Sequence, residues 1–178
     1  MVDYQTISVV LTGLGLMIAL IYYALQIRNQ NKTRQAQLFM QIYQTRNTHE
    51  NMVRWFKLGT WKWNDFEDWR RKYGTDVDPE IQALPYEQFA TYDGIGMLVK
   101  NRMVDVNTVF LLLSEPIVVI WYKFETVIKN LRLEAEVGEN YMSSFEYLAN
   151  IMIKMRKERG LPLPISRLHP TSNLYREL

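Results

Sequence analysis

Residue types that carry out chemistry are scarce in this chain. It has no cysteine, which excludes disulfides, thiolate nucleophiles and every cysteine-ligated metal or iron–sulfur site. His49 stands beside Glu50 at a predicted helix start, where a solvated polar residue is the ordinary interpretation. His169 precedes Pro170 in a predicted tail. We therefore expect neither histidine to be catalytic.

Phosphate-binding and metal-binding motifs are missing as well. The GLG at Gly13 lies inside an apolar run, and the GIG at Gly94 lacks both a preceding strand and a following Lys-Ser/Thr. The sequence contains no HExxH pair, no EF-hand spacing and no Glu-x-x-His pair of the kind that a di-iron bundle needs. These absences predict a protein that is not an enzyme and holds no cofactor or metal.

Asp93 is the polar residue whose position is unusual. In the segment FATYDGIGMLVK it shares a helical face with Phe89, Gly96 and Met97, a face that we expect to point toward a core. Gly94 and Gly96 each cost a helix about 1 kcal/mol relative to alanine, so they predict the close approach of another helix or of a ligand. Two interpretations follow: a buried carboxylate bonded to a Tyr, Trp or Arg across a bundle, or a small-ligand pocket.

A second candidate is the segment from Arg54 to Gly74, RWFKLGTWKWNDFEDWRRKYG. It interleaves four Trp and two Phe with six Lys or Arg and three acids. Such mixing serves RNA stacking in some proteins and a membrane interface in others. Its helical spacing favours packing within a small bundle, with a surface that faces a membrane or a partner as the alternative. The net charge of only +2 argues against nucleic acid.

The elements that position these residues begin with a long apolar segment. Residues 4–27 contain no charged side chain, and about 20 apolar residues are enough for a helix to cross a bilayer. A cleaved signal peptide fits poorly, because the start MVDYQ has no basic residue and no small-residue cleavage site follows the run. We predict a transmembrane helix over residues 6–27 and a short extracytoplasmic N-terminus over residues 1–5.

Charges that flank the apolar segment predict its orientation. Arg28, Lys32 and Arg34 follow it, and no acidic residue occurs between Asp3 and Glu50. The positive-inside rule then places the C-terminal bulk of the chain in the cytoplasm and the N-terminus outside the cell membrane. The same three bases would attract anionic membrane lipid.

Four small residues recur inside the apolar segment at spacings of four, three and four: Ser8, Thr12, Gly15 and Ala19. These spacings place all four on one helical face, which allows another helix to approach closely. Small residues are also simply frequent in membrane helices, so both interpretations stay open.

The remainder of the chain reads as helices. The first helix is predicted to run without a break from Thr6 to about Arg46, with residues 28–46 as a juxtamembrane stalk. Residues 47–160 are predicted to form a helical bundle, and residues 161–178, which contain three prolines, a C-terminal tail. The fold class is all-α.

Cap signals divide the bundle into helices. A capping box at Asn47 and Glu50 opens the first of them, and single Asp or Asn caps open three more. The predicted caps of those three are Asn64 or Asp65, Asp78, and Asp105. Two prolines predict boundaries: Pro85 near the start of a stretch from Leu84 to Met103, and Pro116 at a restart. The apolar run around Pro116 is expected to be the buried centre of the bundle rather than a second span.

The layout resembles a known family. The segments YYALQIRNQNKTRQAQLFMQIY and GIGMLVKNRMVDVNTVFLLLSEPIVVIWYKFETVIKNLR, with the preceding span, are similar to family 4760 of domains of unknown function, membrane-anchored proteins of archaea and bacteria. The resemblance covers most of residues 5–155. It implies the same single-pass helical architecture and no particular activity.

Together these features predict a non-enzymatic, single-pass membrane protein that presents a cytoplasmic interaction domain. It would act as an accessory subunit or scaffold, with a protein partner or a second copy of itself. The alternative is a membrane-anchored sensor that binds a small ligand in the bundle near Asp93. An enzyme would have to work with carboxylates and tyrosines alone.

Overall fold

The computed structural model describes residues 3–74, 77–134 and 136–164. Those residues form helices and no strand, which confirms the all-α prediction. The helices are α1 (Tyr4–Arg46), α2 (His49–Thr60), α3 (Phe66–Tyr73), α4 (Pro79–Lys100), α5 (Val106–Leu131) and α6 (Ser143–Glu158). The predicted tail is described only to Pro164, so His169 lies outside the described residues.

The chain divides into two compact units, Met1–Ile42 and Tyr43–Leu178. The first consists of most of α1, a continuous helix of 43 residues, as the sequence predicts. At 1.5 Å per residue this helix is about 65 Å long. Its most apolar window has a mean hydropathy of 2.1 and is not buried at all, so α1 is long and apolar enough to cross a membrane.

The second unit is a helical bundle in which α6 packs against both α4 and α5. Phe145 of α6 sits at its centre, fully buried, with ring contacts to Tyr92 and Phe89 of α4 and to Trp121 of α5. In α5, Ile117, Val118 and Phe124 are fully buried. The apolar run around Pro116 is therefore the buried centre of the bundle, as expected.

Two predicted helix boundaries are wrong. Pro85 lies inside α4, which begins at Pro79, and Pro116 lies inside α5, which does not restart there. An internal proline removes one backbone hydrogen bond and costs a helix about 3 kcal/mol. Burial offsets this cost, because Pro85 is itself buried and the residues that follow Pro116 form the core.

The caps follow the prediction at three of four starts. The side chains of Asp65, Asp78 and Asp105 each accept a backbone hydrogen bond at the start of α3, α4 and α5. At α2 the predicted box is wrong, because Thr48 is the cap and accepts from the Asn51 backbone N–H at 3.2 Å. Glu50 is one residue too early for a box and instead pairs with Arg54.

Candidate functional site

Asp93 of α4 is bound to the first turn of α6. Its Oδ1 accepts a hydrogen bond of 2.9 Å from the backbone N–H of Phe145, the third residue of α6. The residue before α6, Met142, has a left-handed backbone (φ 53°) and makes no side-chain cap. Asp93 therefore caps a helix that lies 52 residues away in the chain. The prediction that Asp93 bonds to a Tyr, Trp or Arg side chain is wrong, because its partner is a backbone N–H.

Gly96 lies where α4 and α6 approach each other closely. A Cβ on Gly96 would lie 2.0 Å from the backbone oxygen of Ser144, a distance that no side chain tolerates. The close approach predicted from the two glycines is thus found at Gly96 but not at Gly94, where a Cβ would meet nothing within 4 Å. Met97 was expected to face the core and is 52% exposed.

Tyr141 lies beside this cap. Its hydroxyl is buried and has no hydrogen-bond partner among the described residues. Burial raises the pKa of Tyr141, and the neighbouring Tyr86 and Asp93 raise it further. Asp93 is half-buried and held by a backbone contact, so its geometry is that of a structural cap between two helices.

The aromatic and basic segment packs the bundle, as its helical spacing predicts. Trp61 is buried and stacks on Tyr73 with ring centres 4.0 Å apart, and Trp63 packs on Phe124 of α5. Lys123 of α5 donates hydrogen bonds to the Gly59 and Trp61 carbonyls at the end of α2. Burial lowers the pKa of Lys123 to about 8.

Asp68 of α3 is a buried carboxylate with two cations on it. Its side chain is 7% exposed and pairs with Lys72 at 2.7 Å and with Arg71 at 2.6 Å. The Asn64 backbone N–H donates to the same carboxylate. The hydrogen bond from Lys72, with those from Asn64 and Arg71, lowers the pKa of Asp68 to about 2 against the effect of burial. This cluster fastens α3 to its own N-terminal loop.

The described start of the predicted tail is fastened to the bundle. Arg156 of α6 is buried and donates to the Ser114 hydroxyl of α5 at 3.2 Å and to the Pro162 carbonyl at 2.7 Å. Hydrogen bonds from a charged donor are stronger than those between neutral groups. Arg156 therefore anchors the start of the tail, a segment whose sequence has no helical periodicity.

Sequence reasoning missed a cavity of about 250 Å³ within the bundle. It lies between the last turn of α1, the helix α2, Gln88 of α4 and the segment of α5 around Pro116. Its wall combines aromatic, aliphatic, amide and charged side chains: Tyr43, Arg46, Asn47, Asn51, Met52, Trp55, Phe56, Gln88, Leu112, Leu113, Glu115 and Pro116. Asp93 is not in this wall. No local sequence pattern could have indicated the cavity, because its wall joins residues of four helices.

The predicted membrane residues lie on α1. Ser8, Thr12, Gly15 and Ala19 are exposed on one face, and a Cβ on Gly15 would meet nothing within 4 Å. Arg28, Lys32 and Arg34 are exposed on the same helix. Among the described residues no group of three or more His, Asp or Glu could hold a metal ion.

Comparisons of the chain with protein-family profiles, with curated proteins and with solved structures find no match. The resemblance to family 4760 of domains of unknown function therefore stays a prediction.

Proposed function

We propose that this chain is a non-enzymatic, single-pass membrane protein whose helical bundle serves as an interaction domain in the cytoplasm. The observation that carries the proposal is the exposure of α1: Val9, Leu16, Ile18 and Tyr22 lie on opposite sides of its charge-free part, and each is more than 60% exposed. Large apolar side chains all around a helix are stable in lipid but not in water.

The orientation proposed is N-terminus outside and bundle inside. Arg28, Lys32 and Arg34 are exposed just after the apolar part of α1, where anionic lipid of the cytoplasmic leaflet would attract them. Lipid attraction at each base near the surface amounts to about 1 kcal/mol. The cell membrane is therefore the proposed location.

The absence of cysteine from the sequence makes the orientation directly testable. In intact cells, a membrane-impermeant maleimide should label an Asp3→Cys protein, whereas Lys154→Cys should react only after permeabilisation. Lys154 is an exposed residue of α6, so its side chain is accessible once the reagent enters. Labelling of Lys154→Cys but not Asp3→Cys in intact cells would reverse the orientation, and labelling of neither before permeabilisation would contradict the span.

The proposed role is that of an accessory subunit or a scaffold. Its support is the combination of a membrane anchor with a bundle whose polar clusters have structural roles: Asp93 and Arg156 each join two helices, and Asp68 fastens α3 to the loop before it. Such clusters stabilise a binding platform, and the described residues contain no assembled nucleophile and base. We do not propose a ligand role for Asp93, because its carboxylate caps α6.

Co-purification tests this role. Tagged full-length protein is extracted from native membranes in mild detergent, and its mass and companions are determined. A stoichiometric foreign protein would identify a subunit, and a homo-oligomer would identify a scaffold. A lone monomer, with no companion at any salt concentration, would contradict both.

A further inference from the structure

The cavity beside Arg46 has the size and lining of a small-molecule site. Its volume of about 250 Å³ lies just under the roughly 300–1,000 Å³ of pockets that hold drug-sized ligands. A ligand for it must therefore be small. The wall carries one guanidinium and one carboxylate, from Arg46 and Glu115, and both belong to the bundle unit.

One part of the wall offers hydrogen-bond donors to an anion. The Arg46 guanidinium lies 4.4 Å from the centre of the Tyr92 ring and 3.5 Å from Oε1 of Gln88. Both of these partners are neutral, and 3.5 Å is longer than an ordinary hydrogen bond. Gln88 is itself only 4% exposed, so a buried amide and a guanidinium adjoin in the wall. A guanidinium fork is suited to a carboxylate.

Another part of the wall offers acceptors to a cation. Pro116 has no N–H, so the carbonyl of Leu112, four residues earlier in α5, lacks its helical donor. Leu112, Glu115 and Pro116 all line the cavity. A carbonyl without its helical partner and a half-buried carboxylate therefore stand within one turn of helix of each other. A carboxylate accepts several hydrogen bonds at once, so an ammonium group can donate to the Glu115 carboxylate and to the Leu112 carbonyl together.

Three apolar side chains of the cavity wall are exposed. Phe56, Met52 and Leu112 line the cavity and keep large parts of their side chains in solvent, with Phe56 60% exposed. Covering these side chains with an apolar group would be favourable by about 25 cal/mol per Å². The ligand therefore combines an anionic group, a cationic group and an apolar body.

We propose that this cavity binds a zwitterionic α-amino acid with an apolar side chain. Its carboxylate binds Arg46 and the Gln88 amide, and its ammonium binds Glu115 and the Leu112 carbonyl. The apolar side chain packs against Phe56 and Met52. This inference goes beyond the proposed function, since it adds a small-molecule ligand to a membrane-anchored interaction domain.

Calorimetry on the full-length chain in detergent micelles tests the ligand class with L-leucine and L-phenylalanine as probes. Each probe has two single-charge analogues: 4-methylpentanoate and 3-methylbutylamine for leucine, 3-phenylpropanoate and 2-phenylethylamine for phenylalanine. We expect at least one amino acid to bind and its analogues to bind at least tenfold more weakly. Failure of both amino acids, or equal binding by either analogue, would overturn the proposal.

Variants of the wall test the site. Arg46→Gln and Glu115→Gln should each weaken binding at least tenfold. Substitution of Arg46 also removes its packing on Tyr92, so a second variant leaves both charges in place. Leu112→Trp puts a larger side chain into the wall and should fill the cavity and abolish binding. Arg159→Gln is the control, since Arg159 is exposed and bonded to Asn107 outside the cavity, and it should bind as the wild type does.

Unchanged binding in Leu112→Trp would place the amino acid elsewhere and overturn the site. The proposed function and the proposed amino-acid site are tested independently of each other. A loss of all amino-acid binding would leave the co-purification result as it stands, and a lone monomer would leave the calorimetric result as it stands.

Discussion

The carboxylate of Asp93 lies 2.9 Å from the backbone nitrogen of Phe145 and caps a helix that begins 50 residues later. A helix start leaves backbone N–H groups without partners, and a local side chain usually accepts from one of them. At α6 that position is held by Met142, which makes no side-chain cap. Asp93 supplies the acceptor from α4, so this contact joins the two helices as well as capping one.

Removal of this cap should destabilise the bundle. Asp93→Ala should lower the free energy of unfolding by about 0.5–2 kcal/mol, the usual effect of losing an N-cap. Asp93→Asn keeps an acceptor oxygen and should lower it by less. Denaturant unfolding of the full-length protein in micelles measures both, with Glu139→Gln on an exposed loop as the control. Equal stability of wild type and Asp93→Ala would contradict the capping role.

Gly94 and Gly96 should respond to alanine in opposite directions. Alanine gains about 1 kcal/mol over glycine in a helix interior, and at Gly94 the new Cβ meets nothing. At Gly96 the new Cβ would press on the Ser144 backbone 2.0 Å away, so α6 must move. Gly94→Ala should raise the melting temperature and Gly96→Ala should lower it. A stabilising Gly96→Ala would show that α4 and α6 are not in contact there.

Asp68 should make the bundle sensitive to acid. Its pKa falls from 3.8 to about 2 on folding, because Lys72, Asn64 and Arg71 bind the ionised form. The stabilisation is therefore fully present above about pH 4 and is lost as the pH falls through 4 toward 2. In Asp68→Asn this part of the pH dependence of unfolding should disappear, whereas Glu139→Gln should keep it. An unchanged profile in Asp68→Asn would contradict the lowered pKa.

Self-association of α1, if the small-residue face mediates it, should depend on Gly15. Gly15→Ile adds bulk to the face that carries Ser8, Thr12 and Ala19 and should reduce a membrane two-hybrid signal several-fold. Gly13→Ile makes the same change about 160° away around the helix and should leave the signal near wild type. Equal effects of the two substitutions would remove helix pairing through this face.

Local patterns in the chain were sufficient for much of the fold. The charge-free segment and the residues that follow it predicted one continuous helix to about Arg46, and Asp65, Asp78 and Asp105 predicted three helix starts. These predictions succeed because a cap and the helix that it opens lie within a few residues of each other. The same locality explains the buried centre of α5, where a dense apolar run can be stable only inside the bundle or inside a membrane.

Contacts between distant residues decided the rest. The sequence shows Asp93 to be unusual, but the N–H that it binds belongs to a helix packed on α4 by tertiary structure. Pro85 and Pro116 look like helix ends because each removes a hydrogen bond, and only burial against neighbouring helices makes continuous helices the more stable outcome. The cavity beside Arg46 has the same origin: its wall joins four helices, and no local pattern encodes a space between them.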